Sequence, residues 1–470
     1  MFQTLGHLPM GWLLIALLAV IASIAFFLGR VRAEALIAAG GGLHSRPNYH
    51  GYYVAMFAAL PALLAALFYL FGAESLVREH LSGELPAAFG LLSEPELKVY
   101  LDAVSLAAFS RSTGTTDPVF AAVTNRYLEI RGTLNLVLLI LVVLAAAAAA
   151  FWARRRLAAQ FRARAVVERG MEGVLLLCAG VAIATTVGII ASLLYESIQF
   201  FRAVPIWEFL FGTRWNAQTE AEFGALPLFF GTFMIALIAM IVAAPIGLFS
   251  AIYLSEYAGP KTRAWVKPIL EILAGIPTVV YGFFALLVVA PAVRAGAVWI
   301  NETLMAAGIA SEPLLAAQPT SALAAGIVMG IMVIPFVSSL SDDVINAVPQ
   351  TLRDGSYALG GTKSETVRQV VIPAALPGII AALLLAVSRA IGETMIVVMA
   401  AGKSARISMD PTTDLTTITV QIVSLMTGET GFDDPKTLSA FALGLVLFAV
   451  TLVFNVIALR VVQKYREKYD

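Results

Sequence analysis

Residues 341 to 373 read SDDVINAVPQ TLRDGSYALG GTKSETVRQV VIP, and the rest of the chain is understood from them. A helix can begin after Pro349, because proline fits a first helical turn, where no amide is needed. It can end at Gly360-Gly361, where glycine takes the left-handed cap that other residues resist. A second short helix should follow and end at Ile372-Pro373. Apolar runs near 321 to 340 and 375 to 400 flank this polar helix-turn-helix, each long enough to cross a hydrocarbon layer about 30 Å thick. A stiff polar element between two spans suits docking, since a helix axis transmits a push that a flexible connector absorbs. A solvated connector that docks nothing is the alternative.

Working outward, seven further runs lie near 8 to 28, 51 to 71, 132 to 152, 173 to 195, 226 to 254, 268 to 291 and 438 to 460. The expected fold is therefore an all-α polytopic membrane protein with about nine transmembrane helices, since the runs are continuous and lack the alternation of an outer-membrane barrel. Composition agrees, with 59% hydrophobic residues, 13% charged and a mean hydropathy of +0.85. Lys plus Arg equals Asp plus Glu at 31 each, which leaves no basic excess for nucleic acid. A single cysteine, Cys178, excludes a disulfide framework, and four His, all at or before position 80, offer little for a metal site. No Lys or Arg precedes the first run, so it reads as a span and not as a cleaved leader. With the N-terminus outside, 19 basic residues fall in inner segments and 11 in outer ones, with Arg389 alone inside a span. This predicts an outer N-terminus and an inner C-terminus.

The texture changes along the chain. Residues 1–152 carry three spans around an outer segment, 72–131, whose mixture of apolar and charged residues is helix-like (Leu76, His80, Leu81, then Leu97, Tyr100, Leu101, Val104). This segment reads either as a small helical domain or as a loop lying on the membrane. Residues 153–172 form a basic inner linker. Across 173–470, Pro and Gly interrupt the spans, notably at Pro245, Pro277, Pro335 and Gly392. Such breaks free backbone carbonyls that a neighbouring helix or a wet cavity must satisfy, which suits a gated pathway.

Within segment 341–374, Asp354, Gly355 and Ser356 are an acid and two small residues, Gly360 follows the acid by six positions, and Ile372-Pro373 closes thirteen positions later. This resembles the EAA loop of ABC importer permeases, with Asp for the usual Glu and Gly-Ser for Ala-Ala. The stretches GIPTVVYGFF (275–284), SRAIGETM (388–395) and EFLFGTRW (208–215) are similar to the permease subunits of the phosphate-specific importer, PstC more than PstA. The resemblance covers residues 173–470 and leaves the first part of the chain as an extension. It implies a six-span MetI-like permease core in the bacterial cytoplasmic membrane, paired with a PstA-like permease. It also implies a PstB-like ATPase homodimer docked on the EAA loop and a periplasmic PstS-like phosphate-binding protein. ATP and Mg would be bound by the ATPase, because this chain has no GxxxxGK[ST] phosphate cradle. The chain would then be a transport subunit with no catalytic residues and no cofactor of its own, in contact with membrane lipid.

Arg389 sits in the eighth run with Glu393 four residues later, a spacing that places both on one helix face. The pair reads in two ways. It is either a neutralised packing device or a substrate station, in which the guanidinium binds a tetrahedral oxyanion and Glu393 holds Arg389 between turnovers. Glu271 reads as a capping or packing charge near the interface. A permease for another oxyanion, or a membrane scaffold that reports phosphate status, are the competing functions.

Overall fold

The computed structural model describes residues 10–39, 42–84, 94–110, 118–217, 221–427 and 434–465. Expectations for residues 1–9, and for 85–93 and 111–117 of the outer segment, lie outside these residues. Nine helices among the described residues are long and apolar enough to cross a membrane. The chain divides into two compact units, Met1–Ala184 and Thr185–Asp470.

The first unit is built on a helical hairpin, α1 (Met10–Ala38) and α2 (Pro47–Phe71). Its helices approach closely because glycine stands at the crossing. A Cβ on Gly29 would lie 2.7 Å from the His50 carbonyl oxygen, and one on Gly51 would lie 2.8 Å from that of Phe26. Two shorter helices, α3 (Ala73–Glu84) and α4 (Glu94–Ser110), pack against the first turns of α5 (Pro118–Arg155). Val77, Leu81, Leu101, Val104, Tyr127 and Leu128 form the core of that cluster. Of the basic stretch 153–172, expected as a linker, only 156–162 is a turn; the rest is the end of α5 and the start of α6 (Ala163–Ala203), and the division between the units falls inside α6.

The second unit begins with the rest of α6 and a short helix, α7 (Ile206–Phe211). A small antiparallel hairpin follows, β1 (Trp215–Asn216) with β2 (Glu222–Phe223), in which Trp215 faces Phe223. Its rings join Phe200 and Phe209 in a buried aromatic cluster. Next come α8 (Leu226–Ile252), α9 (Pro260–Ala274), α10 (Thr278–Phe284), α11 (Ala290–Ala306) and α12 (Ala322–Asn346). The remaining helices are α13 (Gln350–Ala358), α14 (Lys363–Thr366), α15 (Ile372–Ile391), α16 (Met395–Ala400), α17 (Ile418–Met426) and α18 (Pro435–Tyr465). Wide π-helical turns at Tyr253–Tyr257, Ala285–Val289 and Val367–Val371 continue α8, join α10 to α11 and join α14 to α15. The core of the unit is α12 against α8. A Cβ on Gly330 would lie 2.9 Å from the Ala239 oxygen, and one on Gly247 would lie 2.8 Å from Val337 Cβ. Without side chains at these crossings, the two helices bury Ala236, Ala239, Ala243, Met329, Val333 and Val337 between them.

Several sequence expectations need correction here. The sixth span is not 268–291. Pro277 stops α9, and the membrane-length helix is 278–306. The apolar run continues across the break, so hydropathy alone does not reveal it. The eighth span ends at Ile391, since Gly392-Glu393-Thr394 breaks the helix before α16. The short helix expected to stop at Ile372-Pro373 instead runs on into this span, from Lys363 to Ile391. Proline removes an amide and crowds the carbonyl four residues back, and the wide turn just before Pro373 absorbs both effects. Of the four expected breaks, the chain leaves its helix at Pro277 and Gly392. At Pro245 and Pro335 it continues through α8 and α12, whose close mutual packing holds the backbone on either side of each ring.

Candidate functional site

The loop between α12 and α15 is held by buried charge. The Arg353 side chain is 10% exposed and that of Glu256 7%, and Arg353 Nη2 lies 2.9 Å from Glu256 Oε1. The same guanidinium donates to the carbonyl oxygens of Val348 at 2.5 Å and Ile345 at 2.9 Å. It thereby ties α13 both to the last turn of α12 and to the wide turn after α8. Leu352, with Ile345, Val348 and Ala251, adds an apolar contact on the same side. The opposite side of α13 is open, with Asp354, Gly355 and Tyr357 exposed and Leu359 92% exposed at the tip.

The turn after α13 is fixed by local chemistry. Gly360 has φ +87°, the left-handed geometry that favours glycine. The Ser356 and Thr366 hydroxyls lie 2.8 Å apart, and the Gly361 amide donates to the Ser356 carbonyl at 3.0 Å. Thr362 and Glu365 form a reciprocal capping box that starts α14. Asp354 accepts from Gln350 Nε2 at 3.2 Å. Asp354, Gly355, Ser356 and Gly360 are thus gathered on one helix and its turn. Ile372, half-buried, and Pro373, exposed, lie beyond the wide turn at the start of α15.

A second charge cluster joins α9 to α12. Asp342, 3% exposed, accepts from Arg263 Nη2 at 2.9 Å and from Lys267 Nζ at 3.0 Å. Asn346 Nδ2 donates to Asp342 Oδ1 at 2.8 Å. Lys267 Nζ also lies 3.8 Å from Asp343 Oδ1, so two cations meet two carboxylates here.

Lys267 and Asp342 also line a cavity of about 310 Å³ that reaches Arg389. Pro335, Phe336, Ser338, Ser339 and Glu271 complete its polar and aromatic wall. The expected Arg389–Glu393 ion pair is not formed. The helix ends at Ile391, so the four-residue spacing no longer puts both on one face, and Glu393 Oε1 accepts instead from the Met395 amide at 3.0 Å. Arg389 has no carboxylate partner among the described residues, and its Cζ lies 5.6 Å from the Phe336 ring centroid. Glu271, read from sequence as a packing charge, faces this cavity.

At the other end of α12, the segments before α12 and after α16 are interlocked. Arg406 pairs with Asp414 and donates to Gln318 Oε1 at 2.9 Å. Asp410 accepts the Ala316 amide at 2.7 Å and the Thr412 amide at 2.8 Å. Burial alone would push the Asp410 carboxyl up, but these amides, the Thr412 hydroxyl and the Arg406 charge together hold it below the usual carboxylate range. Ser321 and Ala322 are stitched to Ala400 and Thr413 by backbone bonds. Arg353, Glu256, Arg263, Asp342 and the Ser338-Ser339 pair were not marked by any local motif. Partners such as Arg353 and Glu256 lie 97 residues apart, and only the fold brings them together.

Comparison with known proteins places this geometry among transport permeases. A family model described as binding-protein-dependent transport system inner membrane component matches residues 243–467. Another, described as phosphate ATP-binding cassette transporter, matches residues 15–185. The probable ABC transporter permease protein YqgH of Bacillus subtilis is 32% identical over 280 residues, covering 59% of this chain and 85% of that protein. The phosphate transport system permease protein PstC of Mesorhizobium japonicum is 34% identical over 287 residues, covering 61% and 84%. PstC of Xylella fastidiosa is 35% identical over 260 residues, covering 54% and 80%.

Proposed function

The chain belongs to the family of phosphate-transport permeases of ABC importers, and from that membership we propose that phosphate crosses it past Arg389. The chain is a multi-pass membrane subunit that works with an ATPase and a substrate-binding protein. The observation that carries the path is the cavity in which Arg389, with no carboxylate partner among the described residues, stands with Ser338 and Ser339. A planar guanidinium that never loses its charge supplies two parallel hydrogen bonds to a tetrahedral oxyanion, and neighbouring hydroxyls replace part of its hydration. Lys267 and Glu271 on the same wall set a mixed field, which favours passage over trapping. Glu393 acts by holding the start of α16 and so shaping the break beside Arg389.

Coupling belongs to α13. Its Arg353 side is anchored and its Asp354, Gly355 and Leu359 side is free, so it acts as a peg seated in a groove of a PstB-like ATPase homodimer, which binds the ATP and Mg. The second permease is PstA-like, and a PstS-like periplasmic protein delivers phosphate at the opposite end. This requires the cytoplasmic membrane, with the N-terminus outside and α13 inside, in accord with the Lys/Arg split.

The test is phosphate uptake by the assembled transporter carrying Arg389→Met or Arg389→Lys. With no carboxylate left unpaired, both variants should assemble and hydrolyse ATP. Uptake should fall by at least about tenfold in Arg389→Lys, a barrier increase of roughly 1.4 kcal/mol, and further in Arg389→Met. Parent-level uptake in Arg389→Met would remove Arg389 from the path. Uptake of sulfate or molybdate in preference to phosphate by the parent would change the cargo.

A further inference from the structure

The first unit gathers four helix ends at one place: the C-terminal ends of α1 and α5 and the starts of α2 and α6. Segments 30–46 and 154–172 carry nine arginines there against three glutamates. All nine arginines are exposed. Arg30 pairs with Glu34 and Arg164 with Glu168; the other seven have no carboxylate partner among the described residues.

The patch is preorganised. The His44 amide donates to the Ala159 carbonyl at 3.1 Å, and the Arg164 amide donates to the buried Ser45 hydroxyl at 3.3 Å, joining the two segments. Phe161 is wedged over Tyr53 with ring centroids 4.8 Å apart. The cations therefore sit on a folded surface.

Their setting identifies the counter-charge. Arg155 lies 4.3 Å over the Phe151 ring and Arg156 lies 4.1 Å over the Trp152 ring. Both rings are exposed on the last turns of a helix of membrane length. An aromatic ring at the acyl boundary with a guanidinium above it is the arrangement of a side chain reaching for the phosphate level of a bilayer. Guanidinium also offers a fork that fits a phosphodiester. We propose that this arginine cluster is a binding site for anionic phospholipid headgroups, and that it gives the extension a lipid-selective anchor.

The test uses the purified full chain in phosphatidylcholine nanodiscs doped with spin-labelled phosphatidylglycerol or spin-labelled phosphatidylcholine. The parent chain should immobilise the anionic lipid in preference to the zwitterionic one. Replacing Arg154, Arg155 and Arg156 together by Gln should cut that preference by about tenfold, since each cation near an anionic surface contributes to binding. The triple Lys replacement should keep most of it. Where the Gln variant does not fold, salt decides: preference in the parent that disappears toward molar salt supports the site, and salt-independent preference overturns it. No preference in the parent, or full preference in a folded Gln variant, also overturns it. Displacement of the labelled lipid by inorganic phosphate at low millimolar levels would show a free-ion site and overturn the lipid assignment.

Discussion

Arg353 offers the most quantitative test of how the coupling helix is held. Arg353→Met keeps the stem and removes the guanidinium. This leaves Glu256, 7% exposed, without its cation, and frees the carbonyls of Val348 and Ile345. Breaking one side of a buried pair costs about 3–5 kcal/mol, and the lower end applies here because the site adjoins an open helix face. About 3 kcal/mol corresponds to roughly a hundredfold shift in the balance between docked and undocked α13. Glu256→Gln is milder, since Arg353 keeps both carbonyl acceptors and a neutral oxygen replaces the carboxylate; about 1.5 kcal/mol is expected. In the double variant the buried anion is gone, so the cost should be less than the sum by at least about 1 kcal/mol. Hydrogen exchange of the amides of residues 353–359 reads this directly. Exchange should accelerate by about two orders of magnitude in Arg353→Met and about tenfold in Glu256→Gln, with the middle of α12 unchanged. Unaltered protection of α13 in Arg353→Met, or strictly additive costs in the double variant, would refute the anchoring role.

Three further outcomes follow from the packing and the charges. Gly330→Ala places a Cβ 2.9 Å from the Ala239 oxygen and 2.8 Å from Val242 Cβ; the forced separation of α8 and α12 should cost about 1–3 kcal/mol and lower the thermal midpoint. The same change at Gly296, which has open space around it, should not. Gly360→Ala meets no atoms within 4 Å but must hold φ near +87°. A strain of about 1–2 kcal/mol should then weaken uptake and ATPase coupling while the protein still assembles. The folded Asp410 carboxyl is held below its unfolded value, so its contribution is present above about pH 4 and is lost as pH falls through the folded value. The acid side of a plot of thermal midpoint against pH should flatten in Asp410→Asn, and an unchanged profile would remove Asp410 from the account.

The membrane helices are legible because an apolar window of span length has few other uses, and each of the nine runs overlaps a helix of that kind. Where they stop was less legible. Ile276 and Pro277 belong to an apolar run by composition, yet the missing amide of Pro277 ends α9 and moves the span to 278–306. The four-residue spacing puts Glu393 one turn from Arg389 only in an unbroken helix, and the helix breaks at Gly392. The turn at Gly360 was readable because only a left-handed cap explains a Gly-Gly pair after a short polar helix, and φ there is positive. Arg353 looked like one more basic residue of an inner loop. Its role depends on Glu256, whose place is set by the wide turn after α8, and no local pattern encodes that meeting.

The wide turns also determine where the chain can change length. In an ordinary helix, removing one residue swings every later side chain by about 100° around the axis, which carries buried faces into the surroundings. A wide turn already holds one residue more than a regular turn needs, and the helix beyond it keeps its facing. Loss of one residue from 285–289 would therefore tighten that turn and leave Arg294 and Trp299 pointing as before, whereas the same loss from 290–293 would rotate both away. The turn at 367–371 gives the same latitude just before Pro373, whereas that at 253–257 ends its helix and holds Glu256, the partner of Arg353. Single-residue deletions in this permease should be tolerated at 285–289 and 367–371 and rejected in the helices that follow them, so these two wide turns act as slack in an otherwise fixed register.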